Sequence, residues 1–254
     1  MSTNNRSEWF LRAPRQARTD LRLFCFPYAG GTGAVYRSWA EYLPSGVEVI
    51  AVELPGRGRR MSEDPFRSLP LLVEALIPEL VKLLDMKFAF FGHSMGSMIA
   101  FETARELRRR GLPQPAHLLV SGRRAPQILK SDPITYDLPD EEFRAELLRL
   151  NGTPVEVLEH EELMKLLLPV LRADFELVQT YEYSDDAPLS CPIAAYGGIE
   201  DFEVPRESLL AWEQQTKSRF SLRMLPGDHF FLRSASRQLF QLMGHELLAT
   251  VAAR

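Results

Sequence analysis

Phe88-Ala-Phe-Phe-Gly-His-Ser-Met-Gly96 is the stretch around which the rest of the chain makes sense. Its apolar run, residues 88–91, has the length and composition of a strand buried on both faces. Gly92-His93-Ser94-Met95-Gly96 follows at once and has the form G-x-S-x-G. A strand that turns abruptly into a helix strains the middle residue and leaves no room for side chains on its flanks, which is why both flanks are glycine. The turn lifts the Ser94 hydroxyl clear of the backbone at the top of the sheet. Behind it Met98, Ile99, Phe101, Ala104 and Leu107 recur at helical spacing. A helix over 95–110 therefore aims its N-terminal amides at the place where an oxyanion would form. G-x-S-x-G by itself also describes a Gly-Ser turn between two core elements. The strand before it and the amphipathic helix after it point to a nucleophile elbow.

The chain has 254 residues, 45% hydrophobic and 25% charged, with a formal net charge of -4. That length suffices for one large domain with a well-buried core. The charge argues against a nucleic-acid partner, and no run of about eighteen apolar residues reads as a membrane span. The first twenty residues carry Arg6, Arg12, Arg15 and Arg18 without an apolar core, unlike a secretory signal, so a cytoplasmic protein is expected. Cys25 and Cys191 each lie in or beside an apolar run and read as buried thiols, not a disulfide framework. The five histidines have no second histidine or cysteine at ligand spacing, so no metal is expected.

Taken in order, a frayed arm over 1–20 precedes strands over 21–26 and 47–52, with a short helix over 35–42 between them. A helix over 69–84, the elbow, and a strand over 117–121 follow. This alternation predicts a mostly parallel sheet with helices on both faces. Pro27-Tyr-Ala-Gly-Gly-Thr-Gly33 leaves the first strand with small residues that let backbone approach a ligand. It lacks G-K-[ST] and does not fit G-x-G-x-x-G, which excludes a nucleotide loop. In a fold built on an elbow this loop supplies a second oxyanion amide, assigned to Ala29. From 132 the rhythm breaks into helical patterns over 140–150, 155–158 and 161–181, an insertion spanning 127–187 that reads as a lid over the site, or else as a plain helical elaboration. Pro169 is expected to bend or break the last of these helices. Strands over 192–196 and 220–225 resume the sheet, with a helix over 208–216 between them and another over 237–251 to close. The whole is read as one domain, 1–254, with an inserted subdomain.

A serine hydroxyl needs a base, and the base an orienting acid, in the chain order Ser, acid, His for this kind of elbow. His229 alone lies after the last strand and before the last helix. His93 is locked in the elbow, His117 opens a strand, and His160 and His245 belong to helices. For the acid, Asp201 lies a few residues past the 192–196 strand, where a carboxylate reaches the far nitrogen of His229. Glu200, Asp228, Asp185 and Asp186 are the rivals.

Phe26-Pro-Tyr-Ala-Gly-Gly31, Leu54-Pro-Gly-Arg-Gly58, the elbow, Ser121-Gly-Arg-Arg-Ala-Pro126, Gly152-Thr-Pro154, Ala173-Asp-Phe175 and Pro226-Gly-Asp-His-Phe-Phe231 together resemble the type II (editing) thioesterases of nonribosomal peptide and polyketide synthesis. The resemblance covers nearly the whole chain beyond Leu21. It implies the α/β-hydrolase fold, with Ser94 as nucleophile, Asp201 as acid, His229 as base, and the amides of Met95 and Ala29 as the oxyanion hole. It further implies a substrate acylated on the phosphopantetheine of a carrier protein, so no cofactor belongs to the enzyme itself, and carrier domains are the partners of a monomer that binds neither nucleic acid nor membrane. Ser97 stands where the family often has alanine, a departure expected to leave the site unaffected. An esterase of the same fold acting on small esters or lipids, and a non-catalytic binding protein on that scaffold, are the alternatives. Arg57, Arg59, Arg60, Arg123 and Arg124 are candidates for carrier contact because their segments follow strand ends where the site opens, with a solvated loop as the other reading of the first three. Leu167, Leu171 and Phe175 are candidates for an acyl pocket.

Overall fold

Apolar runs separated by helical stretches build one sheet in the computed structural model, which describes residues 8–12, 18–128 and 133–252. Its strands are β1 (Phe10–Arg12), β2 (Leu21–Phe26), β3 (Val47–Val52), β4 (Phe88–His93), β5 (Leu118–Ser121), β6 (Ile193–Gly198) and β7 (Phe220–Leu225). They lie in the order β1-β3-β2-β4-β5-β6-β7. Every neighbouring pair is parallel except β1 with β3. The helices are α1 (Leu69–Val81), α2 (Met95–Arg109), α3 (Asp140–Arg149), α4 (Val155–Leu158), α5 (Glu161–Gln179), α6 (Arg206–Leu210), α7 (Phe231–Ser234) and α8 (Ser236–Ala252).

Side chains alternate across each strand, so the sheet feeds two cores. Phe24, Phe26, Phe88 and Phe90 pack with α1 and α2 through Leu76, Ile99, Phe101 and Leu107. Leu23, Cys25, Ala89 and Phe91 pack on the opposite face with Tyr36, Trp39 and the α8 residues Leu239, Phe240 and Met243. The aromatic rings meet edge to face, as for Phe26 and Phe90 at 5.2 Å. Both cysteines are buried and free, and burial pushes the Cys191 thiol up to about 12. From β2 the chain moves outward to β3 and then crosses back to β4. The C-terminal ends of β2 and β4 therefore form the switch point where loops diverge and leave a crevice.

Between β5 and β6 the chain carries α3, α4 and α5, within the expected insertion, of which residues 129–132 lie outside the described part. These helices have an apolar cluster of their own, built on Phe143, Leu147, Met164, Leu168 and Leu171. Pro169 does not break α5, which runs uninterrupted through it. The proline sits on the exposed side of the helix, so the carbonyl that loses its donor can be taken up by water.

The arm expected to fray contains β1. Phe10 pairs with Val52 and Arg12 with Ile50, and the Phe10 ring packs 5.9 Å from that of Phe24. The helix expected over 35–42 is instead two short 3-10 turns, Gly33–Tyr36 and Trp39–Glu41, the first fixed by Tyr36 donating to Phe26 O at 2.7 Å. The one expected over 208–216 is α6 followed by a 3-10 turn over Ala211–Gln215.

Candidate active site

Ser94 has φ 52° and ψ -116°, and with Asn151 it is one of two described non-glycine residues at positive φ. Such a conformation costs of order 1–3 kcal/mol and persists only where its surroundings enforce it. They do so here. A Cβ on Gly92 would lie 2.1 Å from Gly96 O, and one on Gly96 would lie 2.1 Å from Phe26 O. The elbow is also pinned to β5 by Ser94 N donating to Ser121 O at 2.8 Å. Ser97 is not idle. Its hydroxyl lies 2.7 Å from Gly92 O and 3.0 Å from Ser121 O, and accepts from Ser121 N at 3.1 Å, tying the two loops together.

His229 stands on the loop between β7 and α7. Its Nδ1 lies 2.7 Å from Asp201 Oδ2. Asp201 is buried, and its Oδ1 accepts from the amides of Glu203 at 3.0 Å and Val204 at 3.2 Å. The rival carboxylates are engaged or turned outward. Asp228 accepts from Phe230 N and from Asn151 Nδ2, Asp186 lies among Arg105, Arg108 and Arg109, and Glu200 is exposed. His93 is locked in the elbow with Nδ1 3.0 Å from Ser121 Oγ. Burial, reinforced by the neighbouring His229 ring and the Arg233 charge, holds it well below the ordinary histidine range. His117 meets Thr250, and His160 caps α5.

Ser94 and His229 open into one cavity of about 440 Å³, with Ala29 and Met95 on its wall. Met95 begins α2, so its amide has no acceptor within the helix. Gly30 N donates to Asp174 at 2.7 Å and Gly31 N to Tyr28 O at 2.8 Å, while among the described residues no acceptor takes the Ala29 amide just before them. Leu171 and Phe175 line the cavity together with Leu147, Leu150 and Val178. Leu167 does not. It packs against the inserted helices' own cluster.

Arg123 and Arg124 line the same cavity. Two of the other arginines are not surface groups. Arg57 is buried and forms a two-pronged pair with Asp174, 2.7 Å on each side. Arg60 is buried against Glu63, Glu53 O and the Trp9 ring. Each guanidinium found internal partners, which removes both from any carrier-contact surface. Arg59 is exposed and donates to Phe10 O. Asp174 was not singled out from sequence, although a carboxylate between Ala173 and Phe175 on an otherwise apolar helix face was a visible anomaly.

The chain matches the family model described as a thioesterase domain over residues 21–247. The chain belongs to the thioesterase family. The gramicidin S biosynthesis protein GrsT of Aneurinibacillus migulanus is 44% identical to it over 248 residues, 98% of this chain and 97% of that one. The structure of RedJ, a thioesterase from the prodiginine pathway of Streptomyces coelicolor, superposes with a TM-score of 0.85 at 40% identity and 91% coverage of each chain. That of YbtT, the type II thioesterase of the yersiniabactin NRPS/PKS pathway, does so at 0.84 and 32% identity, covering 96% of this chain and all of that one. This thioesterase is accordingly a hydrolase with the α/β-hydrolase fold, akin to the type II enzymes of nonribosomal peptide and polyketide pathways. Among its described residues no helix is long and apolar enough to cross a membrane, and no group of three or more His, Cys, Asp or Glu could hold a metal.

Proposed function

We propose that the protein hydrolyses acyl thioesters carried on the phosphopantetheine of carrier proteins, with Ser94 as nucleophile, His229 as base and Asp201 as the orienting acid. The observation that carries this reading is the 2.7 Å contact of a buried carboxylate with a histidine that shares its cavity with a serine on a strained elbow. His229 Nε2 takes the Ser94 proton as Oγ attacks the thioester carbonyl. Asp201 holds the Nδ1 proton and so fixes the tautomer that leaves Nε2 free. The oxyanion forms toward the amides of Met95 and Ala29. Collapse expels the thiolate, which takes the imidazolium proton, and water repeats the sequence on the acyl-serine to release the acid. A thiolate leaves easily, so the demand falls on attack and on oxyanion stabilisation rather than on acid catalysis.

The inserted helices act as a lid whose inner wall, Leu147, Leu171 and Phe175, receives the acyl chain, while pantetheine enters past Arg123 and Arg124. The test is mass spectrometry of acyl-loaded carriers, alongside the same acyl groups as free oxygen esters, with the parent and Ser94→Ala. Carriers should be cleared in preference to free esters, and the variant should lose on the order of 10⁴ in rate. Preference for the free esters would make the protein an esterase instead, and Ser94→Ala turnover within tenfold of the parent would remove Ser94 from the mechanism.

A further inference from the structure

We propose that Asp174, clamped by Arg57, is a positioning residue that sets the direction of the Ala29 amide, so that a helix of the insertion completes the oxyanion hole. The proposal rests on the reading of Ser94 and Ala29 given above. Asp174 lies on α5, 144 positions from Gly30 in sequence, and its side chain is 2% exposed. Its carboxylate accepts three N–H groups, Gly30 N, Arg57 Nη1 and Arg57 Nη2, each at 2.7 Å. A two-pronged guanidinium contact leaves a carboxylate little freedom to rotate.

The peptide planes explain what is being held. The Ala29 N–H shares its plane with the Tyr28 carbonyl, which accepts from Gly31 N at 2.8 Å. The next plane carries Gly30 N, fixed by Asp174. The plane after that carries the Gly31 amide and the Gly30 carbonyl, and Arg57 Nη1 reaches the following carbonyl, Gly31 O, at 3.4 Å. Among the described residues the Ala29 amide is therefore an unengaged donor whose own plane is held at the Tyr28 carbonyl and whose following plane is held at Gly30 N. The loop also lies against α5 itself. Gly30 has φ +74°, and a Cβ there would sit 2.7 Å from Leu171 Cδ2, so the turn that aims Ala29 requires glycine and a fixed α5.

Stability alone does not account for such a pair, because a buried ion pair is often no more stabilising than apolar groups of the same size. That fact supplies the test. Asp174→Asn loses the charge and part of the fork. The double variant Arg57→Met with Asp174→Asn leaves no charge uncompensated. Each is compared with the parent for melting midpoint, kcat and KM on one acyl thioester, and affinity for a boronate that mimics the tetrahedral intermediate and for an uncleavable thioether analogue of the substrate.

A misdirected oxyanion donor should lower kcat roughly 10- to 100-fold with KM within about threefold. Boronate affinity should fall in step while thioether affinity holds. The double variant should recover the parental melting midpoint and keep the kinetic defect. Recovery of kcat along with stability, or equal weakening of both analogues, would reduce the pair to a structural role and overturn the proposal. Labelling of Ser94 by a fluorophosphonate in the parent separates this failure from that of the active-site reading. No label on Ser94 sinks the nucleophile assignment, whereas a labelled parent with kinetically normal variants sinks only the role of Asp174.

Discussion

The insertion between β5 and β6 is attached to the sheet domain in two different ways. Its last helix, α5, is joined by Asp174 and Arg57, whose side chains are 2% and 4% exposed. Its first half is joined at the rim. Arg149 meets Glu203 at 2.6 Å with the two side chains 54% and 36% exposed, Asn151 donates to Asp228 at 2.9 Å, and Arg233 reaches Gly152 O at 3.4 Å. A buried charge pair cannot open without stranding both charges, whereas surface pairs exchange with water at little cost. The insertion thus meets the sheet domain through a buried charge pair on α5 and through exposed contacts at the α3 end, and on the proposed function the exposed end is the side from which a substrate arm would enter.

Removing the anchor should have the largest effect. Asp174→Ala leaves the Arg57 guanidinium buried without a counter-charge and should cost about 3–5 kcal/mol in urea unfolding. A loss below 1 kcal/mol would show α5 to be as loosely attached as α3. Next, Leu171→Ala should lose about 2–5 kcal/mol and also shift chain-length preference, because Leu171 belongs to both the insertion's cluster and the cavity wall. Competition assays across acyl lengths should find Phe175→Ala shifting preference and Leu167→Ala leaving it unchanged.

Acid sharpens the comparison from the side of the sheet. Burial, partly offset by Glu246 and reinforced by Arg219, lowers the His117 imidazole to about 4. The unfolded histidine binds its proton below about 6.5, so between those values the unfolded state holds more protons and stability falls as pH falls. The contribution is intact above 6.5 and amounts to about 3 kcal/mol lost by pH 4. His117→Gln should flatten that part of the stability profile. The smallest effect is expected at the rim. Arg149→Ala should change stability by about 0–1 kcal/mol, yet raise the rate at which acyl carriers enter, measured as kcat/KM at low salt. A large destabilisation there would erase the distinction between the two attachments.

Much of this was legible in the chain. The central strands are apolar runs bounded by turn residues, the elbow is a short motif with a steric cause, and His229 follows from its place between the last strand and helix. What escaped depends on partners distant in sequence. Three residues of β1 become a strand only because β3 offers an open edge. Arg57 and Arg60 were read as surface charge because loop arginines commonly are, and their partners Asp174 and Trp9 lie 117 and 51 positions away. Ion pairing has no periodicity, so a buried pair leaves a trace only as a charge out of place on an apolar face.

The short antiparallel strand also bears on how the protein behaves in concentrated solution. Val47-Glu-Val-Ile-Ala-Val52 is rich in β-branched residues, and its outer edge would present unpaired amides and carbonyls to any other chain. Phe10, Leu11 and Arg12 occupy that edge over Ile50–Val52, with the Arg12 side chain half exposed in a contact with Glu48. The strand covers part of that edge, and a chain trimmed past residue 12 should keep Ser94, Asp201 and His229 in place while gaining an adhesive border.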